Sequence, residues 1–298
     1  MIAVAAFYRF APLRDPGAVR GPLRAVCAAQ GVRGSVLLAP EGINGTIAGS
    51  RDGIDAVLAH LRALPGFAAL EVKDSVAPTM PFGRLKVRLK REIVTFGRPV
   101  NPVRAGTYVD PCDWNALIAT PDVAVIDTRN AYEVAAGTFR GAVDPGTRAF
   151  GDFPDWWAAN AGRFADTRIA MFCTGGIRCE KATAWLRAQG VPEVYHLKGG
   201  ILGYLRDVPE EESLWRGECF VFDGRVAVGH GLRPGTHVLC PACRGAVGPQ
   251  DRAHPHYEEG VQCPACSGTH TETQLARFRE RHRQMRLAAV EGRRHLGA

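Results

Sequence analysis

The chain has 298 residues, 46% of them hydrophobic, the content of a globular protein with room for two or three packed domains. Its 37 lysines and arginines exceed its 30 aspartates and glutamates, and the net charge of +7 suits an anionic partner without requiring one. No run reaches the roughly 18 apolar residues of a spanning helix. The opening MIAVAAFYRF lacks a basic leader, so a cytoplasmic protein with no membrane partner is expected.

Residues 1–95 read as an α+β unit. IAVAAFYRF alternates like a strand, and DPGAVRGPLRAVCAAQG is a helix with Asp15 as cap, Pro16 at its first position and Gly31 at its end. Cys27 on that helix fits a small buried hydrophobe. VRGSVLLA and NGTIAG are strands on either side of a turn at Glu41-Gly42. Ser50 caps RDGIDAVLAHLRALPG, where Ile54, Val57, Leu58 and Leu61 recur at helical spacing. Leu70 to Val72 and LKVRLKREIV close a β-α-β-β-α-β order, which predicts a ferredoxin-like sandwich. Lys86, Arg88 and Lys90 alternate with Leu85, Val87 and Leu89, giving either a solvated sheet face or a phosphate-binding one.

Residues 96–113, with Gly97, Pro99, Pro102, Gly106 and Pro111, are aperiodic and read as an ordered linker. From 114 to 212 strands and helices alternate. WNALI begins a helix with Asp113 as a possible cap. VAVIDT, RIAMFCT and VYHL are apolar runs of the kind buried on both faces of a parallel sheet. PDWWAANAGRF and EKATAWLRAQG are helices between them. The fold class expected is α/β, doubly wound, with ligands beyond the carboxyl ends of the strands. Residues 213–276 hold a short hairpin turned at Asp223-Gly224 and two CxxC pairs, and 277–298 form a basic helical tail.

One strand runs into Cys173-Thr174-Gly175-Gly176-Ile177-Arg178, followed by a helix starting around Cys179-Glu180. A strand that turns sharply into a helix leaves N–H groups without intrahelical partners, and curled round one point they form an anion-binding bowl. A thiol held there becomes a thiolate, and Arg178 adds positive charge. Cys179 is a buried helix-start residue, a resolving thiol, or a second functional group of the site. Asp127 and Arg129 end a strand and either line the same crevice or brace each other. Lys181 and Arg178 stand beside the loop as candidate contacts for an anionic ligand.

CTGGIR resembles the active-site loop of the rhodanese domain. IDTRNAYEVAAGTFRGAV and YHLKGGILGY resemble the segments before and after it. This resemblance implies that Cys173 is the nucleophile and that the amides of Thr174, Gly175, Gly176, Ile177, Arg178 and Cys179 cradle its anionic adduct. EGINGTIAG, PFGRLKVRLKREIVTFG, YVDPCDWNALI, IDTRNAYEV, CTGGIRCEKA, HLKGGILGYL and GECFVFDGRV together are similar to the rhodanese-related tRNA uridine hydroxylases, in the same order from Glu41 to Val226. Cys179 stands where the generic loop has Ser or Thr. Ala135-Ala136 and Cys112 depart from the pattern without touching the loop. The narrower resemblance implies oxygen-dependent 5-hydroxylation of the wobble uridine, position 34, of tRNA, with molecular oxygen as co-substrate. For Lys181 and Arg178 it implies contacts to phosphate or uracil oxygens. Sulfur transfer through a Cys173 persulfide, and a non-catalytic zinc-containing RNA-binding protein, are the alternatives. The sequence shows no iron triad among His196, His230 and His237, and no flavin, haem or nicotinamide motif.

Nine cysteines are an odd number, and four of them form Cys240-x-x-Cys243 and Cys263-x-x-Cys266, nineteen positions apart. That spacing predicts a structural zinc site in a reducing compartment. The tail from Arg277 carries seven arginines against two glutamates. Arg277 and Arg281, with Lys86, Arg88 and Lys90, are the candidate tRNA-phosphate contacts. No DNA partner is expected, and the oligomeric state is left open.

Overall fold

The computed structural model describes residues 1–292. The first unit consists of β1 (Ile2–Phe10), α1 (Pro16–Ala29), β2 (Arg33–Ala39), β3 (Gly42–Gly49), α2 (Arg51–Arg62), β4 (Glu71–Ala77) and β5 (Leu85–Leu89). The sheet order is β4-β1-β3-β2-β5, a ferredoxin-like sheet extended by β5, which runs parallel to β2. Asp15 accepts from the Ala18 N–H at 3.0 Å and Ser50 from the Gly53 N–H at 3.1 Å, so both helices begin where the capping residues predict. Leu23 and Cys27 of α1 and Ile54, Val57, Leu58 and Leu61 of α2 pack on Ala5, Phe7, Val36, Leu38, Ile43 and Ile47. Helices this short are marginal alone in water, so this apolar stripe is what holds them.

The other face of this sheet is turned toward the second unit. The strand expected over LKVRLKREIV stops at Leu89. Beyond it the Glu92 carboxylate accepts the N–H groups of Phe96 and Gly97, and Glu41 accepts that of Ile93, which turns the chain away from the sheet.

The second unit contains β6 (Thr107–Val109), α3 (Pro111–Ile118), β7 (Val123–Asp127), α4 (Ala131–Val134), β8 (Gly137–Phe139), α5 (Phe153–Asn160), β9 (Arg168–Phe172), α6 (Ile177–Ala188), β10 (Val194–Leu197) and α7 (Gly200–Asp207). Its sheet is parallel throughout, in the order β6-β10-β9-β7. Val125, Ala170 and Phe172 face a core shared with Trp114 of α3 and Tyr204 of α7. Ile126, Ile169 and Met171 face the opposite core, shared with Trp157 of α5 and Leu186 of α6. The sheet is therefore covered on both sides, as its continuous apolar strands predict.

The segment 96–113, expected as a linker, instead supplies β6 and the start of α3. The three residues of β6 are too few to show alternation. Gly106 is needed there: a Cβ would meet the Val194 carbonyl oxygen at 2.4 Å. α3 starts at Pro111 after Asp110, three residues before the expected position, because proline suits the first helical turn.

The last part comprises β11 (Trp215–Gly217), β12 (Cys219–Phe220), β13 (Ala227–Val228), β14 (Val238–Leu239), β15 (Ala246–Val247), α8 (Pro249–Arg252) and α9 (Glu272–Val290). β11 pairs with β8, and β12 with β13 as the expected hairpin. The hairpin tip docks on the first sheet: Gly224 N–H donates to the Pro81 carbonyl at 2.9 Å and Arg225 to the Ser75 hydroxyl at 2.8 Å. α9 begins five residues before Arg277, because Thr271 and Gln274 cap each other's backbone N–H groups. The part of the basic tail at 293–298 lies outside the described residues. Among the described residues no helix is long and apolar enough to cross a membrane.

Candidate active site

β9 ends at Phe172, and the chain turns through Cys173 to Gly176, whose φ of 100° admits the sharp entry into α6. The helix starts at Ile177, two residues earlier than expected, which puts Arg178 and Cys179 in its first turn. The Gly176 N–H donates to Cys173 Sγ at 3.1 Å. Behind the loop, the N–H groups of Ile201 and Leu202 hold the carbonyls of Cys173 and Thr174 at 2.9 and 3.0 Å. Gly200 makes this approach possible. Its φ is 65°, and a Cβ there would lie 2.6 Å from both the Cys173 oxygen and the Gly176 nitrogen.

Burial by itself raises the Cys173 thiol. The Cys179 thiol, the Arg178 charge and the N–H groups of Cys179 and Arg178 outweigh it and bring Cys173 down to about 5. Burial drives Cys179 well upward, and its hydrogen bond and charge repulsion with Cys173 add to the rise. The surroundings thus favour the thiolate at Cys173 and the protonated thiol at Cys179. The Thr128 hydroxyl lies 3.5 Å from Cys179 Sγ and fixes it from the other side.

Arg178 is held by a residue that motif reading missed. Glu133, fully buried, takes both terminal nitrogens of Arg178 at 2.6 and 2.7 Å, and the Thr174 hydroxyl donates to the same carboxylate at 3.3 Å. Its only sequence signal was a place three residues after Asn130, where it also caps α4. Glu133 thus fixes the charge of Arg178 beside Cys173.

Cys173 lies at the floor of a cleft of about 510 Å³. The loop forms one wall, with Thr174, Gly175, Ile177 and Arg178. The outer face of the first sheet forms another, with Tyr8, Asn44 and Lys73, and the hairpin closes the third with Phe222 and Arg225. Tyr8 ties the first two walls together by donating to Glu180 at 2.6 Å. Sequence reasoning assigned none of Tyr8, Lys73 or Glu180, because only the fold places the first strand against the loop.

Asp127 and Arg129 do not line the cleft. They form a fully buried bidentate pair whose other side-chain hydrogen bonds go to the carbonyls of Glu133 and Gly137 and the Thr138 hydroxyl, so they brace the segment carrying Glu133. Lys181 also lies away from it. It is 2% exposed, and its ammonium donates to Glu41 at 2.8 Å, to Glu92 at 2.6 Å and to the Val94 carbonyl at 3.0 Å, clamping the two units together. The expectation of a substrate contact is corrected for Lys181, whose three donors are taken by groups that only the folded chain brings near; Arg178, though paired with Glu133, stays in the cleft wall.

Lys86 and Arg88 are level with Ser35 and Leu37 on β2, two residues that line the cleft, so they stand on the cleft's side of the sheet. Lys90 is exposed beyond the strand end and Arg277 on α9; among the described residues these four cations make no side-chain hydrogen bond or ion pair. Arg281 instead donates to the Pro241 carbonyl at 3.2 Å, fastening α9 to a CxxC turn.

Cys240, Cys243, Cys263 and Cys266 converge with all four sulfurs within 4.8 Å of one another. Three sulfur pairs measure 3.8, 3.6 and 3.7 Å. Those lengths are far beyond a disulfide and close to the about 3.8 Å edge of a tetrahedron built on 2.3 Å metal–sulfur bonds. The cluster could hold a metal ion.

The UPF0176 acylphosphatase like domain matches residues 2–93, and the rhodanese-like domain matches residues 111–207. A "tRNA uridine(34) hydroxylase" of Jannaschia sp. (strain CCS1) is 62% identical over 299 residues, spanning 100% of this chain and 99% of its own. One of the same name from Caulobacter vibrioides is 60% identical over 99% of this chain and 96% of its own. Among solved structures, a rhodanese-like domain protein from Staphylococcus aureus is similar over 33% of this chain and 90% of its own, at 23% identity and a TM-score of 0.28.

Proposed function

The chain belongs to the tRNA uridine(34) hydroxylase family, and on that premise we propose that it hydroxylates carbon 5 of the wobble uridine of tRNA, with Cys173 as the reacting group and molecular oxygen as co-substrate. The observation that carries the assignment of the site is the Cys173 thiolate at the floor of a cleft walled by all three parts of the chain.

In this reading the Gly176 N–H and the Arg178 charge keep Cys173 anionic, Cys179 donates a hydrogen bond to it, and Glu133 positions Arg178. Excluded from bulk water, that sulfur reacts only with what enters the cleft. Residues 1–95 supply an RNA-facing sheet, 114–212 the reactive loop, and 213–276 the hairpin wall and the metal-bearing segment. Lys86, Arg88, Lys90 and Arg277 contact the RNA backbone, which fixes register without reading sequence. Zinc at the four cysteines holds together a segment with little other core. The protein works in the cytoplasm, where tRNA and reduced thiols coexist.

The test is isotopic. Cells lacking this chain and complemented with it are grown under labelled dioxygen, and their tRNA nucleosides are analysed by mass spectrometry. The proposal predicts a 5-hydroxyuridine-type nucleoside at the wobble position with one labelled oxygen. Label arriving from water, or a thiolated base in its place, would show a different reaction.

A further inference from the structure

Among the described residues, the cleft contains one buried cation that forms no ion pair with a carboxylate. Lys73 of β4 is 7% exposed and lines the cleft together with Cys173. Among the described residues its ammonium makes no hydrogen bond or ion pair; Nζ lies 5.1 Å from the centroid of the Tyr8 ring. The Glu180 carboxylate is already engaged by the Tyr8 hydroxyl; Glu71, the Cys173 thiolate and Glu180 support the Lys73 charge only at a distance, and Arg206 opposes it. Burial, the largest influence, pulls the Lys73 ammonium below the usual lysine value. Lys181 shows the contrast: equally buried, it has two carboxylates and a carbonyl. A buried ammonium with no hydrogen bond or ion pair is unfavourable on its own, and such groups mark sites that a ligand completes.

The surroundings decide what kind of oxygen that ligand offers. Besides Lys73 the cleft presents mainly apolar surface, from Ala6, Leu37, Phe82 and Leu202. Phe222 stands 60% exposed on the hairpin wall. Apolar walls with an aromatic edge suit a flat, splayed-out base, whose face stacks while its rim is read by few polar groups. The unpaired backbone cations Lys86 and Arg88 stand farther out, on the edge strand. Lysine has three donors and no acceptor, so at carbon 4 of a pyrimidine it can donate to an oxo group but only opposes an amino group.

We infer that Lys73 Nζ donates to the carbonyl oxygen at carbon 4 of the wobble uracil, and so selects uridine against cytidine. The inference rests on the uridine reading above and names the residue that enforces it.

The experiment measures binding of anticodon stem-loop RNAs carrying uridine, cytidine or no base at position 34 to the full chain, wild type and Lys73→Met. Wild type should prefer the uridine RNA by about 10-fold or more, as for a charge-assisted hydrogen bond. Lys73→Met should bind uridine and cytidine RNAs alike and leave the abasic RNA unchanged. Its melting temperature should not fall, because methionine keeps the apolar stem and removes an unpaired charge. Lys73→Arg should retain part of the preference. Equal wild-type binding to uridine and cytidine RNAs overturns the inference, as does a Lys73→Met variant that keeps the preference. A loss of affinity equal for uridine and abasic RNAs would place Lys73 on a phosphate and overturn it too. In each of these cases the wobble nucleoside content of complemented cells still decides the hydroxylase reading separately.

Discussion

Cys173 and Cys179 are six positions apart and are pushed in opposite directions: the loop brings Cys173 down to about 5, while burial and the Cys173 charge drive Cys179 up. The alkylation rate of Cys173 by iodoacetamide should therefore fall with acid around pH 5, as the thiolate is protonated. Cys179→Ala removes a donor and should move that midpoint upward. A wild-type midpoint at the ordinary thiol value, or no shift in the variant, would contradict the assignment of roles. The loop was legible as a motif, since two glycines and an arginine between a strand and a helix have few other uses. Glu133 was not, because its partnership with Arg178 spans 45 positions and exists only once α4 packs beside the loop.

At the scale of elements, the loop keeps its shape because the start of α7 holds it from behind. Gly200→Ala should disturb it on two counts, a positive φ and a Cβ 2.6 Å from backbone atoms of the loop. The expected stability loss is about 1–3 kcal/mol by denaturant unfolding. Modification should fall by about 10-fold or more, since the displaced atoms are those that cradle sulfur. A fully active Gly200→Ala protein would show that the loop does not depend on this support. Long elements with capping residues, such as α1 and α2, could be read closely from the sequence. β6 could not: three residues among prolines and glycines carry no period, and the strand forms because β10 offers an edge to pair with. α9 was placed late for a different reason, as basic composition drew attention to Arg277 and away from the Thr271 cap.

The whole molecule brings three separately legible segments to one cleft, and what joins them is a small set of buried polar contacts. Lys181 with Glu41 and Glu92, Tyr8 with Glu180, and Arg225 with Ser75 link the first unit to the other two. The four-cysteine cluster that could hold a metal belongs to a separate core. A strong chelator should therefore raise hydrogen exchange across residues 238–266 while leaving the Cys173 alkylation midpoint in place. Unchanged exchange there would remove the case for a structural metal. The central claim is that Cys173 is required for hydroxylation of the wobble uridine, and one measurement addresses it directly. tRNA from cells lacking the chain is digested and its nucleosides quantified after complementation with wild type or Cys173→Ala. The account predicts 5-hydroxyuridine derivatives restored by wild type and absent with Cys173→Ala; full restoration by Cys173→Ala would contradict it.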